Sequence, residues 1–518
     1  MSDKAPQKPS QPETDGPWER FLDWLAANLL WLTGLRRRTK VLAALAVVLV
    51  CAGIGGLIAY ENLKRPSDVT NSDASFNPDE TAQKREHTVN WPLYGYDLRR
   101  TRYLPVKGIK PPFKRLWSYG AKPLLEFPPI FVDGVLYALD NSGHAFAIKA
   151  RSGKVLWKRR VAQLNASAPT YSHHRLFIVN LTPGQVLALN PSNGHTEWRK
   201  RLPGRSESSP VVVGERVFFG DEDGTMYAVD RRNGRTIWTT QLCGAIKAAP
   251  AYQHGILFVG DYGGCMNAVN AHTGKVKWQS SSQGLGFGTT GAFYSTPAVA
   301  FGRVYSGNND HRVYSYAADD GTLAWSHSTG DQVYSGPTVA DTPNTPPTVY
   351  IGSLDGSIYA LDAKSGDTRW SRSAGGPVIG SLSAVGNIVY VASYSPKQTN
   401  GFSMKSGRQV FHYGTGAYMP VISDGHRIYL TGYSSITGLQ PLTKRQIQGR
   451  AKARREKAAR QAKHRRAQAK ARAEHRRNAA AAKHKQSGNG AKQQPAAKQK
   501  PPAKQKPPAK QNGKKKSP

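Results

Sequence analysis

Ser208–Trp238 reads SSPVVVGERVFFGDEDGTMYAVDRRNGRTIW, and Ala248–Trp278 reads AAPAYQHGILFVGDYGGCMNAVNAHTGKVKW. A later copy, ending at Trp370, contains VYIGSLDGSIYALDAKSGDTRW. Each copy holds four short β-prone runs. The first follows a proline (Pro210, Pro250, Pro297, Pro337). The second is β-branched and aromatic, such as Arg216–Gly220 or Ile256–Gly260. An Asp/Gly turn leads to the third, such as Met226–Asp230. A second turn (Asn233-Gly234, Thr273-Gly274, Ser365-Gly366) leads to the fourth, which ends in tryptophan. Glycine suits these turns because tight hairpins need positive φ.

Working outward, Trp117, Trp157, Trp198, Trp238, Trp278, Trp325, Trp370 and then Phe411 recur at steps of 40 to 47 residues. Four strands per unit of this length is the pattern of a propeller blade. A two-sheet sandwich would not hold such a register through eight copies. Once per unit, the aromatic reads as blade-to-blade packing. Seven units run complete from about Pro129 to Phe411. An eighth begins near Pro420 with HRIYLTGY (His426–Tyr433) and a third run near Ile436–Leu439, but has no tryptophan of its own. The run Phe113–Tyr119, which has no strands upstream, is predicted to complete that last blade. This joins the ends of the ring and removes unpaired edges. The expectation is an all-β, eight-bladed propeller of four-stranded antiparallel blades over residues 91–443.

The rest of the chain frames that ring. Of 518 residues, 51 are glycine and 34 proline, which favours a turn-rich β protein over a helical bundle. Three cysteines exclude a disulfide-dense scaffold and any four-cysteine zinc or iron–sulfur site. The net charge of +38 is uneven: residues 444–518 hold 26 basic and two acidic residues, while residues 1–90 balance. Residues 41–60 (VLAALAVVLVCAGIGGLIAY) carry no charge, and 20 helical residues span about 30 Å, the thickness of a bilayer's hydrocarbon core. Arg36, Arg37, Arg38 and Lys40 precede them, which keeps residues 1–40 in the cytoplasm and places the rest outside. The stretch is too long for a cleaved signal core. Val50 stands where lipidation at Cys51 would need a small residue. Residues 17–35 space Phe21, Trp24, Leu25, Leu29 and Leu32 as a helix in the membrane interface, and 61–90 read as a linker. This predicts a single-pass plasma-membrane protein.

From Lys444 to Lys485 the tail is Ala, Lys, Arg, Gln and His, helix-prone but without an apolar stripe. Residues 486–518, with their AKQKPP repeat, read as disordered. Outside the membrane such a tail suits anionic lipid or cell-wall polymer. Nucleic acid leads only if the topology is reversed.

The repeated pattern resembles the quinoprotein-type (PQQ-like) propeller repeat, and Trp91–Pro105 (WPLYGYDLRRTRYLP) is similar to the segment that opens such propellers. The resemblance implies two branches. One comprises quinone-dependent dehydrogenases, with adjacent bridged cysteines, calcium ligands and a catalytic Asp. Here Cys51, Cys243 and Cys265 are not adjacent, and no catalytic or cofactor residue carries over. The other is the non-catalytic propeller of the outer-membrane β-barrel assembly machine, which binds a partner through loops on one face. That branch implies a scaffold without cofactor; PQQ with calcium belongs to the alternative.

Direct chemistry is thin. No G-x-S-x-G, H-E-x-x-H, P-loop or EF-hand sequence occurs. His173-His174 sit in a hairpin, and Glu222, Asp223, Asp261 and Asp355 recur as turn residues. In a four-stranded meander, the turns between strands two and three share a side with the blade-to-blade connections. That side carries Asp261–Gly264, Asn309–Arg312 and the long connection Ser280–Tyr294. The expected partner-binding face is therefore Tyr262, Phe287, Phe293, Tyr294, His311 and Arg312. Cys243 and Cys265 fall on the same side and are expected to be able to bridge outside the cytoplasm.

Overall fold

The computed structural model describes residues 37–64, 66–80, 89–286, 290–418 and 421–488. The helix expected over 17–35 and the tail beyond Gly488 lie outside them. Eight sheets of at least four strands form the ring. Blades 1 to 7 run over Ile130–Arg160, Thr170–Arg201, Val211–Gln241, Ala251–Ser281, Ala298–Ser328, Thr338–Ser373 and Ser383–Tyr413. Blade 8 is Val421–Pro441 closed by Phe113–Gly120, which pairs antiparallel with Ser435–Pro441. The eight-bladed, all-β expectation and its closing strand are both met.

The tryptophan spacing has a local cause. In every blade the register between the third and fourth strands slips beside the aromatic; in blade 3, Ala228 faces Trp238 but Val229 faces Thr236. Such a bulge re-aims a side chain. Trp238 donates to Ala271 O of the next blade at 3.2 Å, and Trp157 to Pro191 O at 2.8 Å. The ring then lies on a glycine of that next blade. A Cβ on Gly274, at φ +75°, would sit 2.7 Å from Trp238. The Trp…Gly pairing visible in the sequence is therefore made between blades, not within one.

The lead-in forms a collar inside the ring. Trp91 exchanges backbone hydrogen bonds with Phe131 of blade 1. Pro92, Leu98, Arg99, Thr101 and Arg102 offer carbonyls to Tyr171, Tyr252, Val299, Val339 and Ala384, on blades 2, 4, 5, 6 and 7. Tyr103–Leu104 then adds a parallel strand to blade 7. Residues 66–80, within the segment read as a linker, form a strap on blade 5. Ser326 N donates to Val69 O, Asn71 N to Ala324 O and Asn77 N to Phe301 O.

Two helices precede and follow the blades in sequence: α1 (Arg37–Lys64) and α2 (Lys444–Gly488). Within the described residues no helix is long and apolar enough to cross a membrane. The side chains described on α1 are those of 45–57 and 60, so the 41–60 stretch is covered only in part. Those that are described stand exposed, Leu49 at 69% and Leu57 at 62%. Helix α2 forms a unit of its own, 45 residues long and exposed throughout its described side chains.

Candidate functional site

The connections entering the blades converge on the ring axis. The residue three before the proline that opens each of blades 1 to 6 occupies one register: Glu126, Ala166, Glu207, Lys247, Tyr294 and Tyr334. Five of these six, with Tyr94, Phe127, Ser381 and Tyr418, line a mouth of about 90 Å³. Lys247 Nζ lies 3.0 Å from Glu207 and 3.1 Å from Glu222. Burial, then the Glu207 charge, pushes Glu126 up to about 7. Burial also raises Glu207, against the pull of Lys247. Burial works to raise Glu222, but Lys247 and Arg205 outweigh it and its carboxyl is lowered. The mouth therefore holds a lysine shared by two glutamates and one carboxyl raised toward neutrality.

Below the mouth lie two arginines of the collar. Arg100 and Arg102 are buried at 0% and 1% exposure. Arg100 donates to Pro250 O at 2.7 Å, to Ser209 O at 3.1 Å and to Tyr94 O. Arg102 donates to Arg100 O, Pro337 O and Thr296 O. Both guanidiniums also lie over the Tyr94 ring, at 5.7 and 5.2 Å. Burial and the neighbouring Arg102 charge press Arg100 down to about 9, so it stays cationic at neutral pH. A wider groove, about 540 Å³, opens at the floor end between the collar and blades 2 to 4, with Tyr96, Tyr171 and Tyr252 on its walls. The mouth, not this groove, collects the glutamates and the lysine.

The structure brings together some of the expected face. Tyr262 is 38% exposed, and its ring lies edge-on to Tyr294 at 6.2 Å, which continues to Tyr334 at 5.3 Å. Phe293 corrects the expectation of exposed aromatics. It is fully buried, packed under Gly260 and beside Tyr314, because the glycine leaves room only for a ring. Arg312 is likewise not free. It bonds Asp68 Oδ1 at 2.7 Å and Pro66 O of the strap. His311 Nε2 approaches Asp331 Oδ1 at 3.8 Å, and Phe287 lies outside the described residues. Cys243 and Cys265 are bonded, with Cα atoms 6.3 Å apart. Glu126, Glu207, Lys247, Tyr334 and Tyr418 were missed, although the position three before each proline would have marked the first four.

A bound quinone fits poorly. A cavity of about 90 Å³ holds on the order of three waters, far below the few hundred Å³ of ordinary ligand sites. Asp261 sits beside the two sulfurs, but their mutual bond leaves no thiolate for a metal. As it stands the mouth is smaller than an ordinary ligand site, and its bonded sulfurs offer no thiolate ligand.

Comparison with known proteins separates fold from activity. Tetrathionate hydrolase of Acidithiobacillus ferrooxidans is 32% identical over 97 residues, 18% of this chain and 19% of that one. Outer membrane protein assembly factor BamB of Yersinia pestis is 31% identical over 104 residues, 20% of this chain and 26% of that one. The chain thus aligns with about a quarter or less of these relatives' length. Among solved structures, quinohemoprotein alcohol dehydrogenase of Comamonas testosteroni superposes with a TM-score of 0.57 at 13% identity, over 69% of this chain and 82% of that one. One blade architecture thus accompanies a hydrolase, an assembly factor and a dehydrogenase, and fold alone does not choose among them. The family profile described as outer membrane protein assembly factor BamB matches residues 111–245, 222–340 and 335–487, most of the chain, and this protein belongs to that family of PQQ-like repeat propellers.

Proposed function

We propose that the protein is a membrane-anchored scaffold that holds its propeller outside the cytoplasm and recognises a protein partner at the mouth of the ring. The observation that carries this reading is the mouth itself. Tyrosines from several blades surround a glutamate–lysine cluster, above the two buried arginines of the collar. Rigid aromatic rings beside a charged group are the make-up of a recognition surface. The family's name, an assembly factor, points to envelope assembly as the setting. Residues 41–60 serve as the anchor, with the propeller and tail outside. The tail, through α2, binds an anionic lipid or cell-wall polymer.

A photo-crosslinking residue at Tyr334 should trap one discrete partner in intact cells, while the same residue at Glu215, on the opposite turns, should not. Equal or absent trapping at both would defeat the reading. Deleting residues 444–518 should abolish salt-sensitive binding to anionic liposomes or wall material. Unchanged binding would remove that role.

The fold likeness to the quinohemoprotein alcohol dehydrogenase supports a second reading, a quinone-dependent dehydrogenase. Purified full-length protein, given PQQ and calcium, should show neither tight binding nor dye-linked alcohol oxidation. If it shows both, the enzyme reading replaces the scaffold.

A further inference from the structure

We infer that the mouth of the ring faces the membrane surface, held there by the strap on blade 5. The inference rests on the reading of residues 41–60 as a membrane anchor. Helix α1 ends at Lys64, and two residues later Pro66 is already docked. Two peptide steps place the Cα atoms of Lys64 and Pro66 within about 8 Å of each other. Pro66 O and Asp68 Oδ1 both accept from Arg312, and Asp68 Oδ1 accepts from Ser328 Oγ at 2.6 Å. Arg312 opens the third strand of blade 5 and Ser328 closes the fourth. Both are mouth-side ends.

From there the strap runs one way, toward the floor. Val69 and Asn71 pair with Ser326 and Ala324 along the outer strand. Ala74 O accepts from Arg303 Nη2 at 2.6 Å. Phe76 packs on Phe301 at 5.7 Å, and Glu80 accepts from Gly302 N at 2.7 Å. Phe301-Gly302 is the turn between strands one and two, at the floor end. The chain thus leaves α1 on the mouth side and reaches the floor only after descending a whole blade. A ring tethered this way cannot turn its floor to the bilayer without stripping the strap. The conclusion holds whichever compartment the propeller occupies.

The mouth-side loops also expose large side chains. Among the described residues, Tyr262, Leu285 and Tyr433 stand exposed there, while Val155, Leu156, Ile237 and Val276 are exposed near the floor-side starts of outer strands, so apolar exposure alone does not choose an end. Lys397 Nζ stands 3.7 Å over the Tyr433 ring. Tyrosine paired with lysine suits the headgroup region, where one end of the ring is wet. The turns at the other end carry Asp133, His173, His174, Glu215 and His254.

The test uses the full chain in phosphatidylcholine nanodiscs bearing nitroxide headgroups, a zwitterionic surface that keeps the tail from attracting the ring. On a Cys51→Ser background, with the disulfide intact, a fluorophore is attached at Tyr433→Cys or at Glu215→Cys. A blade about six residues tall separates the two by about 20 Å, so quenching should be roughly twofold or more stronger at 433. Equal quenching, or stronger quenching at 215, overturns the orientation. Carbonate extraction of the same samples reads the anchor separately: protein released by the wash refutes the anchor and the inference together, while retained protein with equal quenching refutes the orientation alone. Asp68→Ala with Arg312→Ala, which loosens the strap, should bring the two reporters toward equality; an unchanged difference would show that the strap does not set the orientation.

Discussion

The two ends of the channel are built from opposite chemistry. At the floor, Arg100 and Arg102 are buried, fixed in the left-handed region at φ 55° and 57°, and bonded to carbonyl oxygens. At the mouth, Lys247 faces two glutamates, and Tyr262 is over a third exposed. A guanidinium that satisfies several carbonyls at once ties together strands that share no sheet. An ammonium on a partly wet rim can exchange its partners for water. The floor is therefore a structural bolt and the mouth a surface free to bind, and substitution should separate them.

The largest effect is expected from Arg100→Ala. Four carbonyl acceptors lose this donor in a buried site, and a loss on the order of 3–5 kcal/mol follows. Lys247→Ala removes ion pairs on the rim, for which about 1 kcal/mol or less is expected. Urea unfolding of the full chain in detergent, followed by tryptophan fluorescence, measures both. Comparable losses would erase the distinction between bolt and rim. The mouth does have one covalent tie. Cys243→Ser with Cys265→Ser opens a loop of 22 residues, and roughly 3 kcal/mol is expected from chain entropy. Reducing agent should reproduce that loss in the wild type and leave the double variant unchanged.

Between the two ends lies the frame. Gly274→Ala places a methyl 2.7 Å from Trp238, whereas Gly255→Ala, at a similar φ of +82°, meets nothing within 4 Å. Both bear the left-handed backbone cost of about 1–2 kcal/mol, and only the first adds a clash of roughly 1–3 kcal/mol. Equal losses at the two sites would mean that tryptophan packing does not hold blade to blade.

That frame was readable because it repeats. Trp157 and Trp238 mark the same geometric event, so spacing alone gave the blades, the count and the role of Phe113–Tyr119. The floor was not readable. Arg100 and Arg102 look like a surface charge run, and only the ring's closure around them converts them to buried donors. The strap escaped for a related reason: Val69 and Asn71 dock through backbone groups, which leave no side-chain pattern. At the mouth the error was one of register. The long loop drew attention to Phe293, which the Gly260 gap swallows, while Glu126, Glu207 and Lys247, one per blade, form their cluster only across blades.

A pH-dependent effect is the sharpest test of the mouth. Glu126 is held at about 7 against an ordinary 4.5 because burial and Glu207 disfavour its charge. With the folded value raised, stability is greatest while the group is protonated in both states, below about pH 4.5. It falls as the unfolded chain ionises first, and the penalty is complete once pH exceeds about 7. Glu126→Gln removes the charge while keeping the shape. At pH 8.5 the variant should be more stable than wild type by on the order of 1–2 kcal/mol, a figure discounted for the partial wetness of the rim, and the gap should close toward pH 4. Unfolding midpoints at those two pH values decide it. A variant equal to wild type at pH 8.5 would mean that Glu126 is solvated like an ordinary surface acid, and that the mouth lacks the dry, charge-poised interior that distinguishes it from the rest of the rim.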